Sequence, residues 1–458
     1  MRIQLPEKVN YIINKLMEHG YEAYAVGGCV RDSILGKEPE DWDITTIASP
    51  LEVKEIFRRT VDTGIQHGTV TVLIDKEGFE VTTYRIDGEY EDNRRPKAVE
   101  FTRELGEDLR RRDFTINAMA YNESIGLVDI FQGYEDLQKG IIRCVGSARE
   151  RFDEDALRIL RAVRFSAQLD FEIHEETLEA IREKAAHLNN ISAERIRVEL
   201  SKLLLSSSPE KLLVAYETGI TQVVLPEFDA MMNTTQNHPH HSYNVGLHTI
   251  KAVKEVCSGS FEELFTKKEK LILKFSVLLH DVDKPRFHTV DKNGVDHFYG
   301  HDKEGAKTAK NILKRLKFDN ESISYVYRLI FWHDFRFVLS PVDMRKAMCN
   351  IGVDLMPLLF EHKRGDILGQ NPATHEKKLI ELREARILYE EILSRNECVE
   401  LKSLNINGKI LMELGVAPGI MVGQVLNELL QLVILNPEHN TLAYLSEVVK
   451  EKYIKNLT

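Results

Sequence analysis

No apolar run in this sequence approaches the ~20 residues of a membrane span, and the reading is a chain with no membrane partner. The opening segment MRIQLPEKVNYIINKL lacks the apolar core of a secretory signal, which points to the cytoplasm. Cysteine is scarce. Cys29, Cys144, Cys257, Cys349 and Cys398 are odd in number, far apart and never spaced as CxxC, a pattern that fits a reducing compartment. An excess of positive charge is missing as well: 61 Lys and Arg against 72 Asp and Glu leave a net −11. That balance weighs against nucleic acid as a partner, because phosphate binding needs clustered Lys and Arg. Repeats of fixed period and low-complexity segments are absent too.

What is present partly reverses the charge argument. Basic residues cluster at Arg94, Arg95 and Lys97, at Arg110 to Arg112, and along Arg143, Arg149, Arg151, Arg158, Arg161 and Arg164. They supply either a basic face or a set of arginines neutralised by adjacent acids on solvated helices. The 458 residues suffice for about three domains. Helical spacing of Val9, Ile12, Ile13 and Leu16 predicts a helix over 6–20, and Ser49-Pro50 opens another over 50–61. Strand-like runs fall at 21–26, 42–48, 69–74 and 80–85, so the first ~125 residues form a small α/β head. From about Asp153 the pattern is helical: 153–169, 174–187, 192–206, 209–219, 243–257, 267–280, 302–316, 321–333, 342–351, 376–396 and 420–435. The fold class is therefore multidomain, an α/β head followed by a long all-α body. Pro226 and the polar run Asn233 to His241 mark a boundary within that body.

The head is organised around Ala25 to Thr46. Gly27 and Gly28 follow a short apolar run and let the backbone approach a bulky anion, and a helix beginning near Cys29 aims its N-terminal N–H groups at it. Arg31 adds a fixed positive charge. Asp41 and Asp43 stand two apart; on a strand their carboxylates share one face and suit Mg²⁺, whose remaining ligands are waters and substrate phosphates. Together these features read as a nucleoside triphosphate held by backbone and arginine, with metal ions on the carboxylates.

Two later stretches fit. Arg111-Arg112-Asp113 before an apolar turn is either a solvated cap or a recognition element for a ribose, with the carboxylate accepting from the 2′-OH and arginine meeting phosphate. In Glu154-Asp155-Ala156-Leu157-Arg158, Asp155 and Arg158 stand three apart and share a face of the expected helix. Cytosine and adenine each offer an NH₂ donor beside a ring-nitrogen acceptor, which a carboxylate and a guanidinium can meet. Uracil and guanine offer the reverse.

In order, GGxVRDxxLG with DxD, RRDFTINA (Arg111 to Ala118) and EDxxR resemble the signature of the class II tRNA nucleotidyltransferases and bacterial poly(A) polymerases, over roughly residues 20–205. The resemblance implies a metal-dependent transferase that joins a nucleoside monophosphate to an RNA 3′-OH and releases pyrophosphate. Asp41 and Asp43 are its catalytic metal ligands, with Glu80 a candidate third carboxylate. Gly27, Gly28, Arg31, Arg112, Asp113, Asn117, Asp155, Arg158, Arg161 and Arg164 bind the nucleotide. The connector Arg85 to Phe101 resembles the mobile loop of members that add the terminal A. SAERIRVELSKLL, with Ser192 as N-cap and Glu194, Arg195 and Glu199 on the helix, resembles a last head-proximal motif that buttresses the base-reading helix. CCA addition to tRNA from CTP and ATP is the expected activity. Poly(A) or A-only addition shares every head motif.

Residues 238–366 are rich in histidine. LKFSVLLHDVDKP resembles the HD phosphohydrolase domain, whose ligand order His … His-Asp … Asp gives His248, His280, Asp281 and Asp366. His301 and His333 match extra histidines of some two-metal members, and Asp283 stands where the HDxGKP turn usually carries glycine. No ligand role falls to His238, His240 or His241. Imidazole mixed with carboxylate suits Ni²⁺, Mn²⁺ or Co²⁺ more than magnesium. The competing reading from another class is an HD phosphohydrolase whose head merely binds nucleotide or RNA. Expected domains are a head over 1–140, a base-reading helical domain over 141–225, the HD domain over 226–400 and a C-terminal RNA-binding segment over 401–458, in which Gly415, Pro418 and Gly419 precede an amphipathic helix. The oligomeric state is left open.

Overall fold

In the computed structural model, Val9, Ile12, Ile13 and Leu16 form the buried stripe of the helix Glu7–Glu18. The structure describes residues 2–88, 90–91, 95–96, 99–237 and 243–454. Arg94, Lys97, His238, His240 and His241 therefore lie outside the described residues, as does the Arg95 side chain. The chain divides into two units: one runs to Asp229 and takes in Arg315–Lys317, and the other comprises Ala230–Lys314 and the chain from Phe318 onward.

The first unit opens with a seven-stranded mixed sheet in the order Gly126–Val128, Ala120–Asn122, Ala23–Val26, Ile44–Thr46, Glu77–Thr83, Thr69–Ile74, Thr60–Gly64. Alternation places Val70, Val72, Phe79 and Val81 in the core and leaves Glu80 exposed on the other face. The second expected helix ends early. A capping box between Ser49 and Glu52 starts Pro50–Ile56, and the β-branched residues that follow pair instead as the edge strand Thr60–Gly64. The connector expected as a loop folds back on itself: Arg85–Asp87 pairs with Val99–Phe101, and Tyr90–Glu91 with Arg95–Pro96. Helices complete the unit, among them Leu157–Leu169 and Ala193–Leu204, which pack on each other.

Among its described residues the second unit is helical apart from one short hairpin, Thr289–Val290 with Asp296–His297. Val245–Glu255, Lys267–Leu279 and Met356–Gly369 pack together at its centre. Met356–Gly369 is absent from the sequence expectation, and Leu358, Leu359, Phe360, Glu361, His362, Gly365 and Ile367 are all buried along it. Gly419, at φ +99°, starts the C-terminal helix Ile420–Leu435. Among the described residues no helix is long and apolar enough to cross a membrane, and all five cysteines are free thiols.

Candidate active sites

Strand pairing assembles the first site. Ala25 pairs with Ile44, Val26 N–H donates to the Asp43 carbonyl at 3.0 Å, and Ile44 pairs with Val81. The paired glycines, Asp43 and Glu80 are therefore neighbours at one end of three strands. Asp41 and Asp43 lie in the extended segment just before the strand Ile44–Thr46, one step short of the strand expected to carry them. Both are exposed, as is Glu80. Desolvation pushes the Asp43 carboxyl up, Arg112 pulls it back, and Asp41 adds to the rise. Burial likewise raises the Glu80 carboxyl, with Asp43 and then Asp41 contributing. Asp43 and Glu80 thus each feel the neighbouring carboxylates, oxygen donors of the type a hard divalent cation takes, but among the described residues these oxygens are not gathered within 4.8 Å of one another as those of the second site are.

Gly27 adopts φ +85° and begins the turn into the helix Gly28–Ile34. A Cβ there would stand 3.0 Å from Arg112 Nη1, so the glycine leaves the space that this guanidinium enters. Arg112 is held from behind by Asp108, a fully buried carboxylate that sequence reasoning missed. Asp108 lies 2.6 Å from Arg111 Nη2 and 3.4 Å from Arg112 Nη2, and it accepts from Thr45 Oγ1 at 3.3 Å. Burial opposes its ionisation, but Arg112 and Arg111 outweigh burial and hold its carboxyl below the ordinary range.

A polar chain joins the expected motifs. Arg31 Nη1 donates to Asn117 Oδ1 at 2.6 Å, Asn117 Nδ2 to Asp113 Oδ1 at 3.1 Å, and Arg161 Nε to Asp113 Oδ2 at 2.8 Å. Phe114 N–H also donates to Asp113 Oδ1 at 2.9 Å. Asp113, expected to accept from a ribose, is buried here and both its oxygens accept from the protein, so in this structure it orients Arg161 and Asn117.

The single helix over 153–169 is corrected as well. It breaks at Asp155, which is extended at φ −136° and ψ 102° between Ala148–Glu154 and Leu157–Leu169. Asp155 Oδ1 accepts from Leu157 N–H at 3.1 Å, while Oδ2 lies 2.7 Å from Arg195 Nη2 on Ala193–Leu204. Arg158 turns instead to Glu154 at 2.6 Å and to the Arg111 carbonyl at 2.8 Å. Asp155 and Arg158 therefore share no helix face, and each has a partner of its own. Beyond its packing on Leu157–Leu169, the helix Ala193–Leu204 is tied to this segment by two ion pairs, Arg195 with Asp155 and Glu199 with Arg164 at 2.5 Å. Ser192 occupies the N-cap, but its hydroxyl makes no capping hydrogen bond. Arg143, Arg149, Arg151, Arg158, Arg161 and Arg164 each lie within 3.0 Å of a carboxylate, with Glu154 shared by Arg151 and Arg158, so this cluster is largely paired within the unit.

The second site draws on helices distant in sequence. His248 Nε2 stands 3.0 Å from Asp366 Oδ1 and 3.4 Å from His280 Nε2, and His280 Nε2 is 3.1 Å from Asp281 Oδ2. The other oxygen, Asp281 Oδ1, faces His301 Nε2 at 3.3 Å and His333 Nε2 at 3.9 Å. In both His248–His280–Asp281 and Asp281–His301–His333 the ligand atoms lie within 4.8 Å of one another. The tautomers follow from the backbone: His280, His301 and His333 each place Nδ1 2.7 Å from the carbonyl three residues earlier. Nδ1 donates there, which leaves each Nε2 lone pair facing the carboxylates, the arrangement a metal-binding imidazole needs. Burial opposes protonation of His280, but Asp281 and Asp366 raise it to about 10 in the metal-free centre. Lys284 Nζ lies 2.8 Å from Asp281 Oδ2.

Asp283 needs no glycine. Its backbone is helical at φ −98°, and its buried carboxylate accepts from Thr308 Oγ1 and pairs with Arg286, both at 3.0 Å. Sequence reasoning also passed over His362, which is fully buried with Nδ1 2.9 Å from Ser276 Oγ and packs edge-on against His280.

Three segments of the chain match known protein families. Residues 23–143 match the poly A polymerase head domain, 170–232 a probable RNA and SrmB-binding site of polymerase A, and 240–389 the HD domain. The chain is 56% identical over 209 residues to the CCA-adding enzyme of Limosilactobacillus reuteri, covering 45% of this chain and 52% of that one. It is 55% identical over 209 residues to that of Lactiplantibacillus plantarum, at 46% and 50% coverage. The chain thus spans about half the length of the curated relatives it matches. A Bacillus stearothermophilus CCA-adding enzyme solved in complex with CTP superposes with a TM-score of 0.71 at 27% identity, over 99% of both chains. The Thermotoga maritima CCA-adding enzyme complexed with tRNA-CCA shares the fold, with a TM-score of 0.59 at 20% identity and 100% coverage of both. In chain order, then, this protein carries a poly A polymerase head domain, a probable RNA and SrmB-binding region of polymerase A and, in its second half, an HD domain.

Proposed function

We propose that the chain adds CMP and AMP, from CTP and ATP, to the 3′ end of tRNA without a nucleic-acid template. The observation that carries this reading is the convergence of Asp41, Asp43 and Glu80 beside Gly27 and Arg112, with Arg31, Asn117, Asp113 and Arg161 linked behind them. Asp41 and Asp43, with Glu80, would hold Mg²⁺, which when bound lowers the pKa of the attacking 3′-OH and neutralises the leaving group. The 3′-oxygen forms a bond to the α-phosphorus, the bond from that phosphorus to the pyrophosphate oxygen breaks, and the hydroxyl proton passes to solvent. Gly27 and Gly28 admit the triphosphate, and Arg112, fixed by Asp108, meets its charge. Arg161, a third exposed and anchored by Asp113, faces the nucleotide with Arg31 and Asn117 behind it. Arg164 braces the same helix. Asp155 and Arg158 read the incoming base after exchanging their present partners, Arg195 and Glu154.

Within the two units, 1–140 is the polymerising head, 141–225 the base-reading and RNA-binding part, 226–400 the HD domain and 401–458 a further RNA-binding segment. Five free thiols, four of them buried, suit a cytoplasmic protein. Mass spectrometry of products from tRNAs lacking one, two or three 3′-terminal nucleotides, with all four triphosphates present, tests the activity. Completion of CCA on all three supports it. Addition of A alone, or of a run of A, assigns the chain to the A-adding or poly(A) branch, and no addition leaves a nucleotide-binding head on a phosphohydrolase.

The histidine–aspartate centre is a second, metal-dependent phosphohydrolase that removes a 2′,3′-cyclic phosphate or 2′-phosphate blocking addition. Nε2 of His248 and His280, with the carboxylates of Asp281 and Asp366, would hold Ni²⁺, Mn²⁺ or Co²⁺, which when bound lowers the pKa of a coordinated water. Metal analysis of the purified protein, with phosphoesterase assays of wild type, His280→Ala and Asp281→Ala, tests it. Bound transition metal and activity lost in both variants, with nucleotide addition intact, are expected. Absence of metal and of activity with all three ions returns the histidines to a packing role.

A further inference from the structure

Tyr299 is 78% exposed and lies two residues before His301, whose Nε2 is 3.3 Å from Asp281 Oδ1. A lone exposed aromatic is ordinary. This one is held in place. One face of its ring stacks on His297, with centroids 5.2 Å apart and planes 10° from parallel. His297 is itself fixed by pairing with Thr289 across the hairpin and by Asp291 Oδ2, 3.4 Å from its Nε2. Gly300, at φ +87°, then turns the chain into His301–Arg315. The preceding ring, Phe298, is only half-exposed: it stacks on His288 at 5.3 Å and lies under Lys284, and its carbonyl receives His301 Nδ1 at 2.7 Å. Phe298 thus ties the hairpin to the metal-ligand cluster while Tyr299 presents one open face to solvent. Two residues of chain separate that face's Cα from that of His301 by at most roughly 7 Å, well within the length of a nucleoside.

We propose that Tyr299, backed by His297, is a base-stacking platform for the histidine–aspartate centre, which makes its substrates nucleoside phosphoesters in preference to base-free sugar phosphates. The proposal rests on the phosphohydrolase reading above and adds its substrate class. Every base has a π face, so such a platform accepts any 3′-terminal nucleoside with little discrimination. That tolerance suits a site acting on RNA ends whose last base varies.

The test compares adenosine 2′,3′-cyclic phosphate with methyl riboside 2′,3′-cyclic phosphate as substrates for wild type, Tyr299→Phe and Tyr299→Ala, with nickel, manganese or cobalt added. Hydrolysis adds water across phosphorus: the new P–O bond is to the water oxygen, one ring P–O bond breaks, and the freed ribose oxygen takes the proton. Tyr299→Ala is expected to lower kcat/KM about ten-fold for the adenosine ester, through KM, and to leave the base-free ester unchanged, with Tyr299→Phe at the wild-type level. Equal kcat/KM for the two esters in wild type, or equal loss on both in Tyr299→Ala, overturns the platform. If wild type hydrolyses neither ester, the phosphohydrolase reading fails separately, and fluorescence titration with 2-aminopurine riboside 2′-phosphate, CTP filling the head, decides the platform. About ten-fold weaker binding by Tyr299→Ala keeps it, and equal binding overturns it.

Discussion

Arg161 Nε donates to Asp113 Oδ2 across 2.8 Å, so the helix Leu157–Leu169 and the RRD turn are fastened by one shielded ion pair. Burial disfavours the Asp113 carboxylate, but Arg161 and Asn117 outweigh it and hold the carboxyl well below the usual range. A depressed folded-state pKa contributes stability that is present above the unfolded value near ~3.9 and is lost as pH falls through the folded one. Asp113→Asn should therefore cost about 3 kcal/mol at pH 7, by denaturant unfolding, and its deficit against wild type should shrink below about pH 4. Nucleotide addition should fall with it, because Arg161 loses its anchor.

Asp41→Ala and Asp43→Ala should each leave less than about one per cent of nucleotide incorporation, since a catalytic metal contributes several kcal/mol and one carboxylate of the pair cannot hold it. Asp43→Asn carries a second, opposite expectation. Its carboxyl is raised, so ionising it costs the metal-free protein stability as pH rises through the carboxylate range. Without magnesium, the inactive Asp43→Asn should melt higher than wild type at pH 7, with no advantage near pH 4. A scan in which it melts lower at pH 7 would remove the electrostatic argument for a cation site.

Asp155 is held by Arg195 at 2.7 Å and Arg158 by Glu154 at 2.6 Å. On the proposed reading, Asp155→Ala removes the acceptor for the base and Arg158→Ala removes the donor. Both should relax discrimination against UTP and GTP by roughly ten-fold, from the ~1–3 kcal/mol of an unmet hydrogen bond, more than they slow CTP incorporation. Incorporation ratios from mixed triphosphates measure this directly; strict exclusion of UTP and GTP by Arg158→Ala would contradict side-chain templating.

Asp283→Gly, which restores the family's usual residue, should not improve metal content. The backbone at φ −98° already suits any residue, while the substitution strips Thr308 and Arg286 of their partner and adds chain entropy. About 1–2 kcal/mol lower stability, with unchanged metal by elemental analysis, is the expected outcome.

The parts that were legible in the sequence share a physical cause: a pattern confined to one segment. Val9, Ile12, Ile13 and Leu16 announce their helix because its other face is polar. Met356–Gly369, which carries Asp366, announces nothing because it is buried on nearly every side, and a helix without a polar stripe has no period to read. The break at Asp155 was equally hidden. Glu-Asp-Ala-Leu-Arg continues the helical spacing, and what accompanies the break is a partner 40 residues away, Arg195. Asp108 reads as one more surface acid in a charged chain until the sheet places Thr45 and two arginines around it. The spacing of His248, His280, Asp281 and Asp366 could be matched from the chain alone, but the backbone carbonyls that fix the ring tautomers belong to the folded helices.

The internal pairing of the six arginines from Arg143 to Arg164 bears on how the first unit meets a polyanion. Six guanidiniums paired with five carboxylates, Glu154 serving both Arg151 and Arg158, displace fewer counterions from RNA, so the logarithmic fall of affinity with salt should be shallower than six free arginines would give. On the proposed reading, these six arginines would add little to the salt dependence of RNA binding, and their part in selectivity would lie in short-range fit, which salt does not screen.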